Sequence, residues 1–103
     1  MLGDDAYQRL AEIPNIAGVK EASSDITKIL RIRADCPSHF SVWTGNDDHT
    51  VSAMALGAAG VISVVSNVAP AETQAMAMAA LGGDFDTAAA LQCRLLPLIN
   101  ALF

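Results

Sequence analysis

The sequence is poor in the residues that mark several protein classes. It has only two cysteines in 103 residues, Cys36 and Cys93, far apart and in no Cys-x-x-Cys pair. That excludes a disulfide scaffold and predicts two lone thiols in a reducing compartment, with a single Cys36–Cys93 bridge as the alternative. Basic residues are outnumbered by acidic ones, 6 against 11, for a net charge of −5. This balance argues against nucleic acid and anionic membrane surfaces as partners. The start, Met1-Leu2-Gly3-Asp4-Asp5, is acidic and has no apolar run behind it, so no signal peptide is expected. The longest uncharged stretch, 50–71, could cross a bilayer on count alone, but Gly57, Gly60, Ser63, Ser66, Asn67 and Pro70 break it. No Gly-x-Gly-x-x-Gly follows any apolar run, which removes the usual dinucleotide signature. What remains is a chain that is 52% apolar and rich in alanine, the composition of globular material.

Periodicity gives the order of elements. Residues 4–12 predict a helix with Tyr7, Leu10, Ala11 and Ile13 on one face, broken at Pro14-Asn15. Residues 16–19 form a short apolar run bounded by turns, the pattern of a strand buried on both faces. Ser23-Ser24-Asp25 offers helix caps, and a helix with Ile26, Ile29, Leu30 and Arg33 follows until Pro37. Residues 40–43 predict a second strand, and the turn Thr44-Gly45-Asn46-Asp47 ends in caps for a helix carrying Val51, Met54, Ala55 and Ala58. Residues 60–65 predict a third strand. Pro70 opens a helix that stops at Gly82-Gly83, and Asp84 caps a last helix containing Pro97. Strands alternating with helices mean parallel βαβ units. Units of roughly 20 to 25 residues suit a (β/α)8 barrel of about 250 residues, three eighths of which is about 94. A doubly wound sheet is the rival architecture.

One residue stands out chemically. Lys20 closes the first apolar run, and in barrels the carboxyl ends of strands build the active site. A desolvated ammonium is paired or loses its proton, and the neutral amine then attacks carbonyl carbons. The plainer reading pairs Lys20 with Glu21 or Asp25. His39 and His49 have no partners at metal-ligand spacing, so no metal site is expected. Ser63, Ser66 and Asn67 suit loop capping better than substrate contact. Trp43 reads as core, and Met54, Met76 and Met78 as helix packing.

The motifs together resemble the dihydrodipicolinate synthase / N-acetylneuraminate lyase family. Gly18-Val19-Lys20-Glu21-Ala22-Ser23 is similar to the segment around that family's Schiff-base lysine on the sixth strand. Thr44-Gly45-Asn46-Asp47-Asp48 resembles the seventh-strand turn, with Asn46 where aspartate is usual. Gly60-Val61-Ile62-Ser63-Val64 with Asn67-Val68-Ala69-Pro70 resembles the eighth strand and its loop, and residues 95–103 resemble the helix after barrel closure. Three motifs in order and at matching spacing make a specific signal. Glu-Ala-Ser after the lysine is nearer the synthases than the sialic acid lyases.

The resemblance implies an α/β fold: a partial (β/α)8 TIM barrel, strands six to eight, with 1–103 as the C-terminal fragment of one barrel domain. It implies Lys20 as the lysine that forms a Schiff base with pyruvate, and Gly45 and Ile62 as backbone walls of the substrate pocket. It implies a cytoplasmic enzyme of lysine biosynthesis that needs no cofactor, uses pyruvate and aspartate semialdehyde, and is a homo-oligomer when complete. A lyase of sialic acid or keto-deoxy sugar acids is one alternative, and a non-catalytic assembly fragment is another. The family's proton-relaying tyrosine, its substrate-carboxylate arginine, a second tyrosine and a Thr-Thr pair belong to segments absent here, and Tyr7 matches none of them. With both sheet edges open, the chain alone is expected to be marginally folded, to self-associate or to need the complementary part.

Overall fold

The computed structural model describes residues 3–103, so Met1 and Leu2 of the acidic start lie outside the described residues. Three strands, β1 (Gly18–Glu21), β2 (Ser41–Thr44) and β3 (Gly60–Val61), alternate with helices. These are α1 (Asp4–Ala11), α2 (Thr27–Asp35), α3 (Thr50–Ala55), α4 (Pro70–Leu81) and α5 (Phe85–Leu102). The strands run parallel in the order β1-β2-β3, with Lys20 opposite Trp43 and Thr44 opposite Val61. The pairing is parallel because a helix carries the chain back between successive strands. The predicted order of elements is the observed one, and the architecture is α/β.

The helices cover one face of the sheet. Val42, buried in β2, packs with Tyr7 and Ala11 of α1, Ile29 and Ile32 of α2, and Ala53 and Met54 of α3. A second cluster joins Val65, Met76 of α4, and Leu95 and Ile99 of α5. Side chains alternate along a strand, so Gly18, Lys20, Ser41, Trp43 and Gly60 lie on the opposite face. Lys20 is exposed there and Trp43 only half-buried. The expectation of a strand buried on both faces is therefore corrected, because among the described residues helices pack against one face alone. Trp43 is likewise no part of either core cluster. Its ring lies over the positions of Gly18 and Gly60 on the flanking strands.

Three further expectations change. The third strand was expected over 60–65 but ends at Val61, and a 3-10 turn (Val65–Asn67) follows. Ile13 is exposed and not on the packed face of α1. Met78 is also exposed, at 57%, whereas Met76 is fully buried, since residues two apart on a helix point in nearly opposite directions. The capping expectation holds for α5, where Asp84 accepts the Thr87 N–H at 3.1 Å, but not for α2, whose N-cap is Ile26; Asp25, one residue further out, accepts the Thr27 N–H at 3.0 Å. No described helix is long and apolar enough to cross a membrane.

Candidate active site

Lys20, Gly45 and Ile62 come together at the carboxyl end of the sheet. Gly45 follows β2 directly, and its N–H donates to the carbonyl of Glu21 at 2.8 Å, which extends the β1–β2 pairing past Lys20. The Ile62 N–H donates to the carbonyl of Thr44 at 2.9 Å, which carries β3 alongside the same turn. The Lys20 stem crosses Gly45 so closely that a Cβ at position 45 would sit 2.5 Å from Lys20 Cε and 2.8 Å from Ala22 Cβ. Only glycine leaves that space. Ile62 is 48% exposed on the uncovered side. Lys20 and Gly45 are thus in direct contact, and Ile62 lies on the next strand beside the same turn.

The two carboxylates offered as partners for Lys20 are engaged elsewhere. Glu21 faces the helices, is 5% exposed, and accepts the Tyr7 hydroxyl at 2.6 Å and the Ser23 N–H at 3.1 Å. Asp25 binds both the N–H and the hydroxyl of Thr27. Burial pushes the Glu21 carboxyl up, but hydrogen bonds from Tyr7 and Ser23, with the Lys28 charge, hold it below its ordinary value of 4.5. A carboxyl with a lowered folded-state pKa stabilises above its ordinary value and loses that contribution as pH falls through the folded value. The chain should therefore lose stability as pH drops below 4.5 through this group. Tyr7→Phe should cost about 1–3 kcal/mol at neutral pH, by leaving a buried carboxylate short of a donor, and should shrink the acid-induced loss. Urea titrations of both proteins at neutral and acidic pH measure this. An equal acid-induced loss in the two would contradict it.

Asp47 does not cap the helix that the turn leads into. It is 1% exposed, and its carboxylate reaches the loop after β3, accepting from the Ser63 hydroxyl and from the N–H groups of Val64 and Val65, both at 3.0 Å. Those amides are thereby withdrawn from strand pairing, which ends β3 early. Asn46 works in the other direction: its side-chain amide donates to the Ser23 carbonyl at 2.7 Å, tying the Gly45 turn to the loop after Lys20. An aspartate at 46 would lack that donor when ionised. Ser63, Ser66 and Asn67 cap their own loop, as expected. The Ser66 N–H donates to Ser63 Oγ and the Ser66 hydroxyl to the Ser63 carbonyl, each at 3.0 Å, and Asn67 Nδ2 donates to the Val64 carbonyl at 3.1 Å. Sequence reasoning missed the Tyr7–Glu21 pair and the reach of Asp47.

The cysteines are free, Cys36 buried and Cys93 exposed. Burial, with the Asp35 charge beside it, pushes the Cys36 thiol up, away from reactive thiolate. No group of three or more His, Cys, Asp or Glu able to hold a metal occurs among the described residues. The chemistry on offer is that of an exposed amine whose stem passes over a glycine turn.

The model of the dihydrodipicolinate synthetase family matches residues 2–103. The chain belongs to that family. A 4-hydroxy-tetrahydrodipicolinate synthase of Exiguobacterium sp. (strain ATCC BAA-1283 / AT1b) is 48% identical over 102 residues, which are 99% of this chain and 35% of the relative. The crystal structure of dihydrodipicolinate synthase from Aquifex aeolicus superposes with a TM-score of 0.92 at 39% identity, covering 97% of this chain and 34% of that one. The chloride-inhibited dihydrodipicolinate synthase of Acinetobacter baumannii, complexed with pyruvate, superposes with a TM-score of 0.94 at 35% identity, covering 99% and 35%. The chain thus spans about a third of the length of the synthases it matches. Its three-stranded parallel sheet with helices is similar to part of their barrels.

Proposed function

We propose that this chain carries the pyruvate-binding lysine of a Schiff-base synthase of lysine (diaminopimelate) biosynthesis, and that its strands are six to eight of an eight-stranded barrel, at the C-terminal end of one barrel domain. In this reading Lys20 is the reacting amine, and Gly45 and the Ile62 backbone wall the 2-oxoacid. The approach of the Lys20 stem to Gly45 carries the reading, because a glycine there leaves room for the amine and a small ketoacid beside exposed backbone. Family membership and the pyruvate-bound state of the Acinetobacter relative support it.

The steps follow from the chemistry of an amine and a ketoacid. Lys20 adds as the free amine to C2 of pyruvate; the hydroxyl so formed takes a proton from solvent and leaves as water, giving an iminium. Loss of a proton from C3 gives an enamine, whose carbon attacks the aldehyde of aspartate semialdehyde. The aldehyde oxygen takes up a proton and C2 is again an iminium; the amino group from aspartate semialdehyde adds at C2 to close the ring, and the bond from C2 to Lys20 Nζ breaks, returning the free lysine. The proton-transferring groups and the site for the second substrate belong to the part of the barrel outside this chain. The complete protein is read as a homo-oligomer of the cytoplasm.

The test is a chimera in which this chain replaces the 102 matching residues of the Exiguobacterium synthase. It should condense pyruvate with aspartate semialdehyde. Lys20→Arg, checked for native circular dichroism, should lower the rate at least about a thousandfold, as loss of a covalent nucleophile does. A variant that keeps more than a tenth of the rate would refute the role of Lys20. Cleavage of N-acetylneuraminate or a keto-deoxy sugar acid in place of condensation would move the chain to the sugar-lyase side. A folded chimera inactive on all of these would favour a non-catalytic assembly fragment.

A further inference from the structure

We infer that Asp47 is a positioning residue of the ketoacid pocket: its buried carboxylate holds the backbone after Ile62 against the Gly45 turn. The inference rests on the function proposed above. Asp47 is held at both ends. Its carbonyl accepts from Gln92 Nε2 of α5 at 2.6 Å and from the Thr50 hydroxyl at 2.9 Å, while Gln92 Oε1 accepts the Val51 N–H at 2.9 Å. Its carboxylate accepts from Ser63, Val64 and Val65, the three residues directly after Ile62.

A carboxylate buried in this way is a weak stabiliser, because desolvation offsets most of what its hydrogen bonds return. What it provides is a fixed relation between two loops. Here those loops carry the two backbone walls around Lys20. Asn46 ties the same turn to the loop after β1. Neighbouring residues thus lock the Gly45 turn to both flanking strands, with Asp47 on the side of Ile62. Loosening Asp47 should widen the pocket and weaken pyruvate binding, while leaving the Lys20 amine in its strand.

The experiment is borohydride trapping of pyruvate on the full-length chimera, followed against pyruvate concentration. Asp47→Asn should raise the half-saturating concentration at least about tenfold and keep the limiting rate within about threefold. A merely structural role would lower the amount of folded protein and leave half-saturation unchanged. If Asp47→Asn does not fold, Ser63→Ala removes one donor alone and should raise half-saturation about threefold. Unchanged half-saturation in a folded Asp47→Asn, or in Ser63→Ala where that is the variant that folds, overturns the inference and leaves the proposed function standing. No adduct on the unmodified chimera overturns both.

Discussion

Gly18→Ala should destabilise the chain by about 3 kcal/mol, the upper range for overpacking, and lower its melting temperature by more than about 12 °C. Gly18 pairs with Ser41 in the β1–β2 ladder. A Cβ there would fall well inside van der Waals contact with the Ser41 carbonyl oxygen and 2.6 Å from Trp43 Cζ3. The oxygen belongs to the backbone and cannot step aside without parting β1 from β2. Trp43 cannot yield freely either, since its ring also lies beside Gly60. Gly60→Ala is the matched control, because its Cβ would be 3.5 Å from Trp43 Cδ1, an ordinary contact. That variant should melt within about 4 °C of the parent, as a change of under about 0.5 kcal/mol implies. Thermal unfolding followed by circular dichroism reads both. Equal melting of the two variants would contradict the close packing of β1 on β2.

Gly45→Ala should reduce adduct formation with pyruvate at least about a hundredfold, the scale expected when a reacting group is misplaced by about 1 Å. The added Cβ meets Lys20 Cε at 2.5 Å and Ala22 Cβ at 2.8 Å. The lysine stem is flexible and can swing clear, while Ala22 can yield only with its backbone, in the loop just after β1 and outside the β1–β2 ladder. The amine would then leave its place over the Gly45 turn. This separates the variant from Gly18→Ala, whose damage falls on the sheet. The measurement is the trapping rate in the chimera at saturating pyruvate, with circular dichroism as the fold check. A rate within threefold of the parent would mean that the contact between Lys20 and Gly45 does not set the amine's position.

The strands were legible because short apolar runs sat between turn residues, at the spacing of successive βα units. Lys20 was legible as a lysine closing such a run, whereas Gly45 and Ile62 came in as site residues only through the family resemblance. Burial on both faces was misjudged because an apolar run describes a strand in a complete sheet, and here one face is uncovered. The end of β3 was misjudged because Val64 and Val65 are good strand residues whose amides are taken by Asp47 from far along the chain. Nothing local encodes that reach, nor the bond between Asp47 and Gln92 of α5. Tyr7 was readable as a buried helix residue, but its hydroxyl partner, Glu21, lies across a turn in another element. Met78 was misplaced because α4 is apolar over most of its surface, so periodicity could not choose its inner face.

Locating the pyruvate adduct decides whether Lys20 is the reacting amine. The chimera is incubated with pyruvate, reduced with borohydride, digested and mapped by mass spectrometry. This chain contributes two lysines, Lys20 and Lys28, so Lys28 is an internal control on general amine reactivity. A reduced adduct is expected on the Lys20 peptide and none on the Lys28 peptide. An adduct on Lys28, or on both alike, or none on a folded and soluble chimera, would contradict that role of Lys20.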